Sequence, residues 1–65
     1  MATIGENIKK YRMKQRLTQD DLAKKANVKY STLTKIEGNV VTRPSVQTVA
    51  KIAESLGVQM EELLK

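Results

Sequence analysis

Sixty-five residues make one domain, close to the lower size at which a single apolar core stabilises a fold unaided. With no Cys and no His, disulfides and ordinary zinc sites are excluded, and the commonest catalytic base and strongest nucleophile are both missing. The net charge of +5 is concentrated, because ten of the twelve Lys and Arg residues lie between Lys9 and Arg43 and only Asp20, Asp21 and Glu37 oppose them there.

A basic centre with slightly acidic ends suits a phosphate-bearing partner, although a solvated lysine surface has the same composition. No apolar run is long enough to cross a membrane, and the opening MATIGENIKK lacks the apolar stretch of a signal peptide. The chain is therefore expected to be soluble and cytoplasmic, with no membrane partner and no cofactor.

Ile4, Ile8 and Tyr11 recur at i, i+4, i+7, which predicts an amphipathic first helix over about residues 3–15. A second helix follows from Thr18. Thr18 is a good N-cap, Asp21 three residues on can close a variant capping box, and Asp20 and Asp21 favour the positive end of the helix dipole. Leu22, Ala23 and Ala26 form its inward face. Asn27 tolerates the left-handed conformation of a tight turn, and Val28 is a buried plug beside it.

The third helix is expected over about residues 30–37, with Leu33 and Ile36 inward and Gly38-Asn39 as its stop. VVTRPS then reads as an extended loop, since a residue before proline avoids the helical region. Ser45 caps a fourth helix with Val46, Val49, Ile52, Ala53 and Leu56 inward, and Gly57 ends it. Val58 leads into a short fifth helix over about residues 59–65. The architecture implied is all-α, a compact bundle of five short helices.

Catalysis finds little support. The carboxylates stand singly or as neighbours at helix starts, and adjacent helical residues diverge by about 100°, so neither Asp20-Asp21 nor Glu61-Glu62 can grip one substrate atom. No catalytic residue and no glycine-rich phosphate cradle is assigned. The basic first helix lacks the Trp, Phe and Leu of a membrane-surface helix. The third helix is more specific. Outside its core positions it carries Lys29, Tyr30, Ser31, Thr34 and Lys35, a mixture that lowers helix propensity but offers hydrogen bonds to base edges and phosphates. Such a face is shaped for a major groove.

The stretch from Ile4 to Leu64 resembles the phage repressor/Cro-type helix-turn-helix family. The resemblance is carried by LTQ..LA over Leu17–Ala23, the plug Val28, L..IE ending at Gly38, RPS from Arg43, IA..LGV from Ile52, and the closing Leu63-Leu64. It implies a lambda-repressor-like fold in which helices two and three form the helix-turn-helix. The whole of 1–65 would be one DNA-binding domain.

By position, the resemblance implies that Gln19 bonds a backbone phosphate and buttresses the first residues of the third helix. Lys29, Tyr30, Ser31 and Lys35 would contact bases, with Thr34 at the edge of that set. Gly38 and Asn39 would open a loop whose amides approach phosphate, and Arg43 would reach the backbone or a narrow minor groove. Arg12 and Glu37 would form a structural pair beneath the third helix, while Lys24 and Lys25 are simply solvated.

Three positions depart from the pattern. Asn27 stands where glycine is usual, and Lys29 replaces a Ser or Thr cap, forgoing about 1 kcal/mol in exchange for a guanine or phosphate contact. Gln59 replaces the Ser-like cap of the last helix, which is expected to fray. The function implied is transcriptional regulation, repression above activation, by a weak homodimer on a near-palindromic operator. Val40, Val41, Val58, Met60 and Leu64 are candidates for the dimer contact. Two alternatives are an antitoxin-like module with a protein partner, and the DNA-binding domain of a longer regulator.

Overall fold

The computed structural model describes residues 2–65. Five helices follow one another with short connections: α1 (Ile4–Lys14), α2 (Gln19–Ala26), α3 (Tyr30–Glu37), α4 (Val46–Leu56) and α5 (Met60–Leu64). Local chemistry sets most boundaries. Thr18 accepts from the Asp21 amide at 3.0 Å while the Asp21 carboxylate accepts from the Thr18 amide at 3.0 Å, so two of the otherwise unpaired donors at the start of α2 are satisfied. Thr3 and Glu6 close a second capping box at the start of α1. Ser45 caps α4 through the Thr48 amide.

The helix ends share one device. Arg16, Asn27, Asn39 and Gly57 each adopt a left-handed conformation, with φ of 58°, 56°, 61° and 71°. The amide of the following residue then reaches back to a carbonyl of the last turn: Leu17 to Arg12, Val28 to Ala23, Val40 to Lys35 and Val58 to Ala53. This is the Schellman closure, in which an apolar residue after the turn normally folds onto the helix it has just left. Leu17, Val28 and Val58 do pack against the core. Val40 does not, and stands 74% exposed.

The core consists of Ile8, Leu22, Ala23, Ala26, Leu33, Ile36, Val49, Ile52, Ala53, Leu56 and Leu63, all essentially buried. α2 packs on α4, and α1 lies between α3 and α5. Val46 departs from the expected inward face of α4, being 72% exposed. It is the first residue of α4, one helical turn ahead of the buried Val49. The approach of α1 to α3 is close: a Cβ at Gly5 would fall on the Ile36 carbonyl oxygen.

The start of α5 has no side-chain cap, in keeping with Gln59 at that position. Its other end is held from a distance. The buried Asn7 side chain donates to the carbonyls of Leu63 and Lys65 at 2.9 and 3.0 Å, and Tyr11 donates to Glu62 at 3.1 Å. The expected fraying is thereby countered at the C-terminal turn, where α5 also buries Leu63.

Candidate nucleic-acid interface

α3 has two chemically different sides. Inward, Leu33 and Ile36 enter the core, and Glu37 is buried with them. A buried carboxylate is costly unless paired and fully hydrogen-bonded. Here Arg12 of α1 meets it through two bonds, Nε to Oε2 at 2.9 Å and one terminal nitrogen to Oε1 at 3.0 Å. Only 12% of the Arg12 side chain and 3% of the Glu37 side chain are exposed. The other terminal nitrogen of Arg12 donates to the Leu17 carbonyl at 2.8 Å, and the Gln19 amide adds a 3.3 Å bond to Glu37 Oε1. Three segments therefore converge on one carboxylate: α1, the start of α2 and the end of α3. The hydrogen bond of Gln19 goes to the last residue of α3, not to its first residues.

Outward, Lys29, Tyr30, Ser31 and Lys35 are exposed. Among the described residues neither Lys29 nor Lys35 has a carboxylate partner, whereas Lys24 pairs with Asp20 in an exposed i,i+4 contact of 3.1 Å. That contact is worth a few tenths of a kcal/mol at most. Lys29 begins α3 without offering a side-chain cap. Thr34 is half-buried, and its hydroxyl donates to the Ser31 carbonyl at 2.9 Å.

The loop after α3 is tied down differently from the expectation for its amides. Those of Gly38, Asn39, Val40 and Val41 all donate to carbonyls of α3: Thr34, Ile36 and, twice, Lys35. The Asn39 side-chain oxygen accepts from Thr3 at 2.8 Å, which leaves its Nδ2 as the open donor. Gly38 and Asn39 therefore have no spare backbone amide for a phosphate. The Thr42 and Arg43 amides, by contrast, make no hydrogen bond to another described residue. The exposed Arg43 side chain has no carboxylate partner among them either. The loop's open donors thus begin at Thr42, a shift that no local sequence signal marks, because it follows from both Val40 and Val41 returning to Lys35.

The apolar residues named for self-association divide. Val41, Val58 and Met60 pack against the core, while Val40 and Leu64 face outward, Leu64 being 56% exposed. Among the described residues, no helix is long and apolar enough to cross a membrane.

Comparison with known proteins matches a helix-turn-helix family profile to residues 8–63. The chain is 41% identical over 61 residues to the HTH-type transcriptional regulator SinR of Bacillus subtilis, covering 94% of this chain and 55% of that protein. It is 39% identical over 62 residues to the immunity repressor of Bacillus phage phi105, covering 95% of this chain and 42% of that one. Among solved structures, a crystal structure of SinR, the master regulator for biofilm formation, in complex with DNA superposes with a TM-score of 0.94 at 40% identity, covering 97% of this chain and all of that one. The chain spans about half the length of the curated relatives it matches.

Proposed function

The chain belongs to the phage repressor/Cro-type helix-turn-helix family, and from that premise we propose that residues 1–65 are one domain that binds double-stranded DNA with α3 in the major groove, as a transcriptional repressor in the cytoplasm of a bacterial or phage-infected cell. The observation that carries this reading is the division of α3: its inner side is locked by the Arg12–Glu37–Gln19 cluster, while its outer side presents Lys29, Tyr30, Ser31 and Lys35 without internal ionic partners.

In the complex, Lys29, Tyr30, Ser31, Thr34 and Lys35 contact base edges. The free Nδ2 of Asn39 and the amides of Thr42 and Arg43 approach phosphate, and the Arg43 guanidinium lies on the backbone or in a narrow minor groove. Gln19 adds a phosphate contact from the start of α2 while holding Glu37.

One α3 reads about one half-site, and two copies related by a two-fold axis place their helices one DNA turn apart, about 34 Å. Of the apolar residues named for self-association, the two that face outward, Val40 and Leu64, provide a small contact, so the homodimer is weak in solution and held by DNA through mass action. Selection of duplexes from a random pool, followed by sedimentation with the selected site, tests both parts. Enrichment of a near-palindrome bound by two copies supports the reading. Failure to enrich any sequence overturns DNA recognition, and one copy per best site, with a Val40→Glu variant binding normally, overturns the dimer alone.

A further inference from the structure

The α3 surface carries a restricted chemistry that bears on which bases it can read. From Tyr30 to Lys35 there is no Asn, Gln, Asp, Glu or Arg. Asn and Gln are the side chains that grip adenine through two hydrogen bonds, and Asp and Glu are the acceptors for the cytosine amino group. The nearest carboxylate, Glu37, is sealed beneath the helix by Arg12 and Gln19.

What remains falls into two rows, because residues four apart in a helix lie one above the other. Ser31 and Lys35 form one row. Lys35 is a pure donor with no carboxylate partner, and its backbone is fixed by two amides, Val40 and Val41, that share its carbonyl. The Ser31 hydroxyl makes no hydrogen bond to another described residue. Tyr30 and Thr34 form the other row. The Thr34 hydroxyl donates to the Ser31 carbonyl at 2.9 Å, which leaves this side chain an acceptor oxygen and a methyl group but no donor for a base.

Resting on the reading of α3 as the DNA-reading helix, we infer that its Ser31–Lys35 row selects guanine through the O6 and N7 acceptors and its Tyr30–Thr34 row selects thymine through the 5-methyl group, so that each half-site contains a guanine and a thymine close together. Guanine follows because it alone presents two acceptors to the major groove, which a donor-only ammonium meets best. Thymine follows because it alone presents a methyl there. Adenine and cytosine, whose amino groups need an acceptor, meet only hydroxyl oxygens on this face and neither a carboxylate nor a side-chain amide.

The experiment starts from the duplex selected from a random pool and replaces its bases one at a time. Each guanine is changed to 7-deazaguanine, which lacks N7, or to 2-aminopurine, which lacks O6. Each thymine is changed to deoxyuridine, which lacks only the methyl. At one guanine, one of the two analogues should weaken the unaltered chain on the order of tenfold, and should weaken Lys35→Met far less. At one thymine, deoxyuridine should weaken the unaltered chain about fourfold, the contribution of one buried methyl-sized group. Thr34→Val keeps a methyl and should retain that thymine-to-uracil ratio, whereas Thr34→Ser, which keeps only the hydroxyl, should lower it toward unity, with Tyr30 supplying what remains. A selected site without guanine or thymine, a Lys35→Met variant as sensitive as the parent at every guanine, or a Thr34→Ser variant as sensitive as the parent at every thymine overturns the assignment while leaving DNA recognition intact. A pool from which nothing is enriched refutes the underlying reading and the inference with it.

Discussion

α1 is fastened along two flanks, and the fastenings differ in kind. Toward α3 it offers Gly5, which allows the backbones to touch, and Arg12, which makes a two-bond ion pair with a carboxylate that is almost wholly buried. Toward α5 it offers Asn7, a neutral amide bonded to two terminal carbonyls, and Tyr11, bonded to a partly exposed Glu62. The first seam fails badly if altered, since removing either ion leaves the other buried and unpaired. The second costs less to lose, because it strands neutral groups and no buried charge. The stringent seam lies under the helix whose outer face we assign to DNA, and the tolerant one lies under α5. A reading surface needs its backbone held firmly in place.

The strongest way to break that contrast is at the ion pair. Glu37→Gln or Arg12→Met should each cost about 3 kcal/mol or more, a large part of the stability of a domain this small, and the double variant should lose less than the sum. Thermal melts of the three variants check this, and additive effects near zero would show two solvated charges. Gly5→Ala comes next. Its new methyl meets the Ile36 carbonyl, which is backbone and yields little, so about 2 kcal/mol should be lost and the melting temperature should fall by several degrees.

On the tolerant flank, Asn7→Ala should cost about 1–2 kcal/mol, from two carbonyls left without a donor. Hydrogen exchange should then quicken in α5 well before it does in α3.

The smallest expected effect concerns pH. The Thr18 amide and hydroxyl hold the Asp21 carboxyl below its usual range, and Lys65 with Tyr11 does the same for Glu62. A group whose pKa is lowered by folding stabilises at pH values above its unfolded pKa and loses that contribution as pH falls through the folded one, so both are fully present at neutral pH and fade below about pH 4. Tyr11 moves the other way, raised chiefly by its bond to Glu62, so its contribution holds at neutral pH and is lost in strong alkali. Asp21→Asn should flatten the acid limb of a stability profile, and Tyr11→Phe the alkaline limb.

The sequence revealed what is local and lost what is distant. The Thr18–Asp21 box, the left-handed Asn27 and the plug Val28 were legible because each is decided within about four residues. The capping box at Thr3 has the same kind of local signal, with Glu6 three residues on. Val46 is exposed despite its helical spacing, because periodicity gives a direction and does not say whether that turn is covered. Asn7 carried no signal at all, since its partners lie more than fifty residues away. At the interface, the polar outer face of α3 could be read from composition. The engagement of the Thr34 hydroxyl and the closure of the Gly38 and Asn39 amides depend on hydrogen bonds that only the folded backbone displays.

In the proposed complex α3 chooses sequence while Arg43 in the following loop supplies general attraction. The most direct measurement compares binding of the parent, Ser31→Ala, Lys35→Ala and Arg43→Ala to the selected duplex and to a scrambled one across a range of salt. The two α3 variants should lose about 1–3 kcal/mol on the selected duplex and little on the scrambled one. Arg43→Ala should weaken both and lower the salt slope by about one. Equal losses on both duplexes for Ser31→Ala and Lys35→Ala would contradict sequence choice by α3.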